Sequence, residues 1–91
     1  MNAINTTLVI SDTNKNALIA AVNATKNYPD GLSYADNFQL QYTDGTDNYW
    51  ALDGWVNVDE LEIMINQSYI EKSYFPANLE QAKQDYNLTE V

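Results

Sequence analysis

Thirteen carboxylates, seven tyrosines and four lysines make up the titratable side chains of this 91-residue chain, which contains no histidine, cysteine or arginine. The chemistry open to it is correspondingly narrow. Without histidine it lacks the usual general base and the commonest metal ligand. Without cysteine it has no thiolate nucleophile, no thiolate metal site and no disulfide framework. Carboxylates remain for acid–base work or for binding hard cations. A calcium loop counted from Asp44 puts Tyr49 where glycine is required and has no glutamate at its twelfth position, so that pattern fails. Paired carboxylates hydrolyse glycosides in other proteins, but no motif singles out any pair here, and a chain this short leaves little room for a substrate cleft. Neither an enzyme nor a cofactor or metal site is expected.

What the acids offer instead is a field. Between Asn27 and Glu71 lie Asp30, Asp36, Asp44, Asp47, Asp53, Asp59, Glu60, Glu62 and Glu71, with no lysine among them. The lysines, Lys15, Lys26, Lys72 and Lys83, all lie outside that stretch, and the formal net charge is −9. Such one-signed charge opposes compaction and attracts basic surfaces. It argues against direct contact with DNA, RNA or anionic lipid, which need Lys and Arg. On a helix, Asp59 and Glu62 are three apart, about 5–6 Å between Cβ atoms on one face, and Asp44 and Asp47 flank a turn. Carboxylates at such spacings imitate the phosphate rows of a duplex, which carries one charge per roughly 1.7 Å of axis. The competing explanation is a surface acidic only for solubility.

Two further features suit a protein partner. Ile63 and Ile70 fall opposite the expected core stripe of their helix, beside Asp59, Glu62 and Asn66. Apolar anchors ringed by charge combine steering with slow dissociation; burial of both isoleucines under the C-terminal helix is the alternative. The aromatics include Trp50, Trp55, Tyr34, Tyr42 and Tyr49. Phe38, Leu40, Trp50 and Trp55 are candidates for the core, yet only one row of a hairpin faces inward, so some of Tyr34, Tyr42, Tyr49 and Trp55 should be exposed.

The elements that must carry these groups are legible in outline. Thr7–Ile10 suits a first strand, Ser11-Asp12-Thr13 offers N-caps, and Asn14–Lys26 reads as a helix with apolar residues on several sides. Asn27-Tyr28-Pro29-Asp30-Gly31 stops it. Phe38–Tyr42 alternates apolar with polar, Asp44-Gly45 marks a tight turn, and Tyr49–Leu52 returns, ending at Asp53-Gly54. Trp55-Val56 extends a further strand. Asn57 with Glu60 resembles a capping box opening a second helix, with Val58, Leu61, Met64, Ile65, Ser68 and Tyr69 inward and Lys72 in the last turn. Pro76 begins a third helix with Leu79, Ala82 and Tyr86 on one face. The expectation is a single α+β domain over 1–91, two to four antiparallel strands with two to three helices, ordered β-α-β-β-(β)-α-α. Four Asn-x-Ser/Thr sequons (Asn5, Asn23, Asn66, Asn87) fall within twelve asparagines, as chance allows. The N-terminus has neither a basic region nor a long apolar run, so a cytoplasmic protein, monomeric or homodimeric, is expected.

The central block, with Pro29-Asp30-Gly31, Tyr34, Asp36-Asn37, Leu40-Gln41, Gly45-Thr46, Tyr49, Ala51 and Asp53 before an acidic helix, resembles small acidic anti-CRISPR proteins that phages use against type I-F surveillance complexes. The resemblance covers roughly residues 17–65, although those proteins carry charge on a final helix that is nearly balanced here by Lys72 and Lys83. Trp50–Asp59 is also similar to antirestriction DNA mimics. Both resemblances imply an inhibitor that occupies the nucleic-acid site of a basic protein or CRISPR effector complex, with Asp30, Asp36, Asp44, Asp47, Asp53, Asp59, Glu60 and Glu62 as phosphate substitutes and Tyr49 and Ile63 as further contacts. An immunity protein against a basic toxin or nuclease, or an assembly protein with a merely solvated acidic surface, are the alternatives.

Overall fold

A computed structural model describes residues 2–25 and 37–91, for Thr25 the backbone only. Asp30, Asp36, Tyr34 and Lys26, with the Pro-Asp-Gly stop, lie outside the described residues. The elements are β1 (Ala3–Ser11), α1 (Asp12–Thr25), β2 (Leu40–Thr43), β3 (Asn48–Asn57), α2 (Val58–Asn66), β4 (Lys72–Tyr74), a 3-10 turn (Pro76–Asn78), α3 (Leu79–Tyr86) and β5 (Thr89–Glu90). The strands form one antiparallel sheet in the order β4-β1-β3-β2-β5. The class is α+β, as expected, with five strands among the described residues rather than two to four.

Strand alternation sorts the core into two layers. Leu8, Ile10 and Val56 point to the first face, where Leu18 and Val22 of α1, Leu61 and Met64 of α2, Phe38 and Ile70 complete one cluster. Val9, Tyr42, Ala51 and Tyr74 point to the second face and meet Ala82 and Leu88, with Leu79 and Tyr86 packed against them. Helices α1 and α2 thus share one face, and α3 lies on the other. Among the described residues up to β4, the element order β-α-β-β-α-β and the strand order 4-1-3-2 match the split βαβ, ferredoxin-like arrangement.

Local chemistry explains the boundaries. The Ser11 hydroxyl accepts from the Asn14 N–H (3.2 Å), so α1 begins at Asp12, two residues before the sequence suggested. Its exposed residues include Asn16, Ala17, Ala20, Asn23 and Ala24, so α1 keeps an exposed side despite its apolar residues. Asn57 Oδ1 accepts from the Glu60 N–H (3.0 Å), the capping expected for α2. At the hairpin tip Gly45 has φ +97°, a left-handed conformation that glycine adopts without a Cβ clash.

Several expectations are corrected. Asp53-Gly54 does not end a strand: β3 runs unbroken to Asn57, pairing Asp53 with Thr7 and Gly54 with Thr6. Helix α2 stops at Asn66, since Ser68 takes φ 63°, so Lys72 begins β4 and Ser68 is exposed. Ile70, freed from the helix, turns into the core at 2% exposure, whereas Ile65, assigned inward, is exposed. Just before the hairpin Phe38 is buried and within it Trp50 is half-buried, but Leu40 and Trp55 stand in solvent.

Candidate partner-binding surface

Helix α2 gathers the clearest site. Asp59, Glu62, Ile63 and Asn66 recur at positions i, i+3, i+4 and i+7, and all four are exposed. They share one side because Leu61 and Met64, nearly fully buried, fix the opposite side against the sheet. Glu60 is half-buried beside the Asn57 cap. Ile63 therefore remains the apolar centre of an acidic stripe, and Ile70 leaves the candidate set.

The other acids stand elsewhere. At the hairpin tip Asp44 Oδ1 accepts from the N–H groups of Thr46 and Asp47, both at 2.8 Å. Those two backbone donors, Asp47 first, hold the Asp44 carboxyl below its ordinary range. Asp44 thus shapes the turn, while Asp47 is exposed. Tyr49 is half-buried, its ring stacked on Tyr86 with centroids 6.0 Å apart. Asp53 accepts from the Thr7 hydroxyl (3.4 Å) on the second face, which it shares with Trp55, 69% exposed two residues on. The hairpin tip and the start of α2 lie at opposite ends of the ten-residue β3, about 30 Å apart at strand rise. The acids therefore form separate groups on a tip, a helix and a sheet face, not one continuous row. Glu71 is held internally, accepting from the Ser11 N–H (3.1 Å) and Asn14 Nδ2 (2.6 Å).

The described lysines, Lys15, Lys72 and Lys83, are engaged away from these groups. Lys72 pairs with Asp85 (3.5 Å), and Lys83 with Glu80 (3.2 Å) and Glu90 (3.6 Å). Lys15 lies over the Trp50 ring, 4.5 Å from its centroid, while Trp50 Nε1 donates to Asp12 (3.1 Å). Among the described residues, no ion pair involves Asp44, Asp47, Asp53, Asp59 or Glu62. No group of His, Cys, Asp and Glu suited to hold a metal occurs among the described residues. No helix there is long and apolar enough to cross a membrane.

Comparison with known protein families, curated proteins and solved structures finds no match. Function is therefore read from the surface itself.

The second-face core has a pH signature. Burial raises the hydroxyl pKa of Tyr42, Tyr49, Tyr74 and Tyr86 above the ordinary 10.0, and Tyr74 is raised further by donating to Asp85 (2.8 Å). Folded values above the unfolded one mean that this stability is fully present below pH 10 and is lost as pH rises through the folded values. Urea midpoints measured from pH 8 to 12 should therefore stay level until about pH 10 and then fall. The share of tyrosinate absorbance from these four side chains should emerge late, alongside unfolding. Full tyrosinate absorbance at pH 10.5 with the fold intact would contradict the raised hydroxyl values.

Proposed function

We propose that this protein is an inhibitor that binds a basic, nucleic-acid-handling protein or complex and blocks its nucleic-acid site, in the manner of DNA-mimic anti-CRISPR and antirestriction proteins. The observation that carries this reading is that the central acids have no ion-pair partner among the described residues, whereas the C-terminal acids are paired with lysines. Asp85, Glu80 and Glu90 have lysines beside them, whereas among the described residues no lysine pairs with Asp47, Asp53, Asp59 or Glu62, whose field is left for a partner.

The spacing of the groups supports mimicry at coarse scale. About 30 Å between the hairpin tip and the start of α2 is close to one duplex turn of about 34–36 Å. Two acidic poles at that separation address basic contacts spaced about one turn apart along a bound duplex. The stripe of Asp59, Glu62 and Asn66 around Ile63 adds apolar burial to steering, which lowers the dissociation rate.

The type I-F resemblance names a first target to test. Purified type I-F surveillance complex should lose target-DNA binding in a gel shift as the protein is added, and excess DNA should restore it. Inhibition that persists at saturating DNA would place the protein at another acidic docking site. Protection of a host from a basic toxin encoded beside the gene would instead favour the immunity reading.

A further inference from the structure

The sheet has an open edge beside a groove. Strand β4 pairs with β1 only at Thr7, Leu8 and Val9, although β1 begins at Ala3. Two backbone contacts fix which groups face that edge. The Asn2 carbonyl accepts from the Val58 N–H on the β3 side, and the Val9 carbonyl accepts from the Glu71 N–H on the β4 side. Backbone polar groups alternate along a strand, so even-numbered residues of β1 bond towards β3 and odd-numbered ones towards β4. The N–H and C=O groups of Ala3 and Asn5 accordingly point out from an edge that no strand covers among the described residues. Asn2, Ala3, Ile4 and Asn5 are all exposed and include neither charge nor proline, the usual guards of a free edge.

Alongside lies a groove of about 670 Å³ bordered by Ile4, Asn5, Phe75, Asn78, Gln81 and Asp85. Phe75 is 74% exposed and Ile4 39%. Large apolar side chains held in water next to unpaired strand groups are what strand addition uses: main-chain bonds supply affinity and side pockets supply selectivity.

We infer that this edge takes an extended segment of the partner, alternating apolar and Lys or Arg residues, as an additional strand beside Ala3–Thr6. The basic character rests on the functional reading above and on the charge of the chain. Lys72 and Asp85, the charged residues bordering the groove, pair with each other, and the chain as a whole carries −9 to draw in cations. That same field opposes a second copy of the chain.

The probe is a ten-residue peptide alternating valine and lysine, capped at both ends, titrated into the isotope-labelled protein. Saturable amide shifts and slowed hydrogen exchange at Ala3 and Asn5 are expected. A version N-methylated at alternate residues, unable to donate ladder bonds, should bind at least about tenfold more weakly. Asn5→Pro removes an outward N–H at an edge position where proline is tolerated, and should reduce binding by a similar factor. Phe75→Lys, at an exposed position, should do the same, and it decides the matter if the proline variant fails to fold. Unchanged Ala3–Thr6 amides, equal binding of the N-methylated peptide, or protection of Asn5 by concentration-dependent dimerisation would each overturn the inference. Shifts confined to Asp59, Glu62 and Ile63 would overturn it while leaving the inhibitor reading standing.

Discussion

Reversing Asp59 and Glu62 together to lysine should slow association with a basic partner by at least about tenfold at low salt, while leaving the fold unaltered. Each reversal changes the charge by two, taking the chain from −9 to −5 and placing the new positive charges on the exposed stripe of α2. Electrostatic steering is worth 10–10³ in on-rate and is screened with a Debye length of about 8 Å at physiological salt. The gap between wild type and the double variant should therefore narrow as salt rises. Neither carboxylate takes part in an ion pair among the described residues, so the melting temperature should move little. Asp59 does lie in the first turn of α2, where a negative charge is favoured by about 0.3–1 kcal/mol, and a loss of that size is the ceiling expected. Stopped-flow association rates across a salt series check this. An on-rate insensitive to both reversals at low salt would remove α2 from the interface.

Phe38→Ala should destabilise the fold severely. The ring is 2% exposed and joins Leu18 and Val22 of α1, Leu61 and Met64 of α2 and the sheet in one cluster. Truncating a buried phenylalanine costs about 3–5 kcal/mol through lost transfer energy and the cavity left behind. Against a typical domain stability of about 5–15 kcal/mol, that is a large share. At about 4–8 °C per kcal/mol for a small domain, the melting temperature should fall by more than about 12 °C. Trp55→Ala supplies the contrast, because a side chain 69% exposed has little to lose on truncation. Its effect on stability should stay within about 0.5 kcal/mol. Calorimetry of the two variants checks the assignment, and a larger cost at Trp55 than at Phe38 would mean that the faces of the hairpin are exchanged.

That contrast marks the boundary of what was legible. Elements announced by local chemistry are found where their signals stand. Asn57 caps α2, Asp44-Gly45 closes the hairpin, Ser11 opens α1 and Ala82 faces inward from α3, because each signal acts through bonds to neighbours a few residues away. What failed depended on distant partners. Asp53-Gly54 has the composition of a turn, but pairing with Thr6 and Thr7 keeps it extended. Lys72-Ser73-Tyr74 is too short to show alternation and becomes a strand only because β1 offers an edge. Ile70 changes sides once the left-handed Ser68 breaks the helical period. The exposure of Trp55 and Leu40 likewise follows from how much of the second face α3 covers, which no local pattern records.

The candidate site divides in the same way. Asp59, Glu62 and Ile63 sit within one helix, so helical spacing alone places them together, and they are together. Asp44, Asp47 and Asp53 belong to a tip and to the opposite sheet face, so their relation to α2 is set by the length and facing of β3. The open edge of β1 is invisible to any reading of single segments, since it exists only because β4 is shorter than the strand it joins.

If carboxylates here stand in for phosphates at a basic site, the protein and a duplex must compete for that site. With the protein immobilised and a basic nucleic-acid-binding target captured on it, duplex DNA should displace that target in a dose-dependent way. The displacement should become easier for the Asp59→Lys, Glu62→Lys variant. A target that stays bound at saturating duplex, and binds wild type and variant alike, would refute phosphate mimicry.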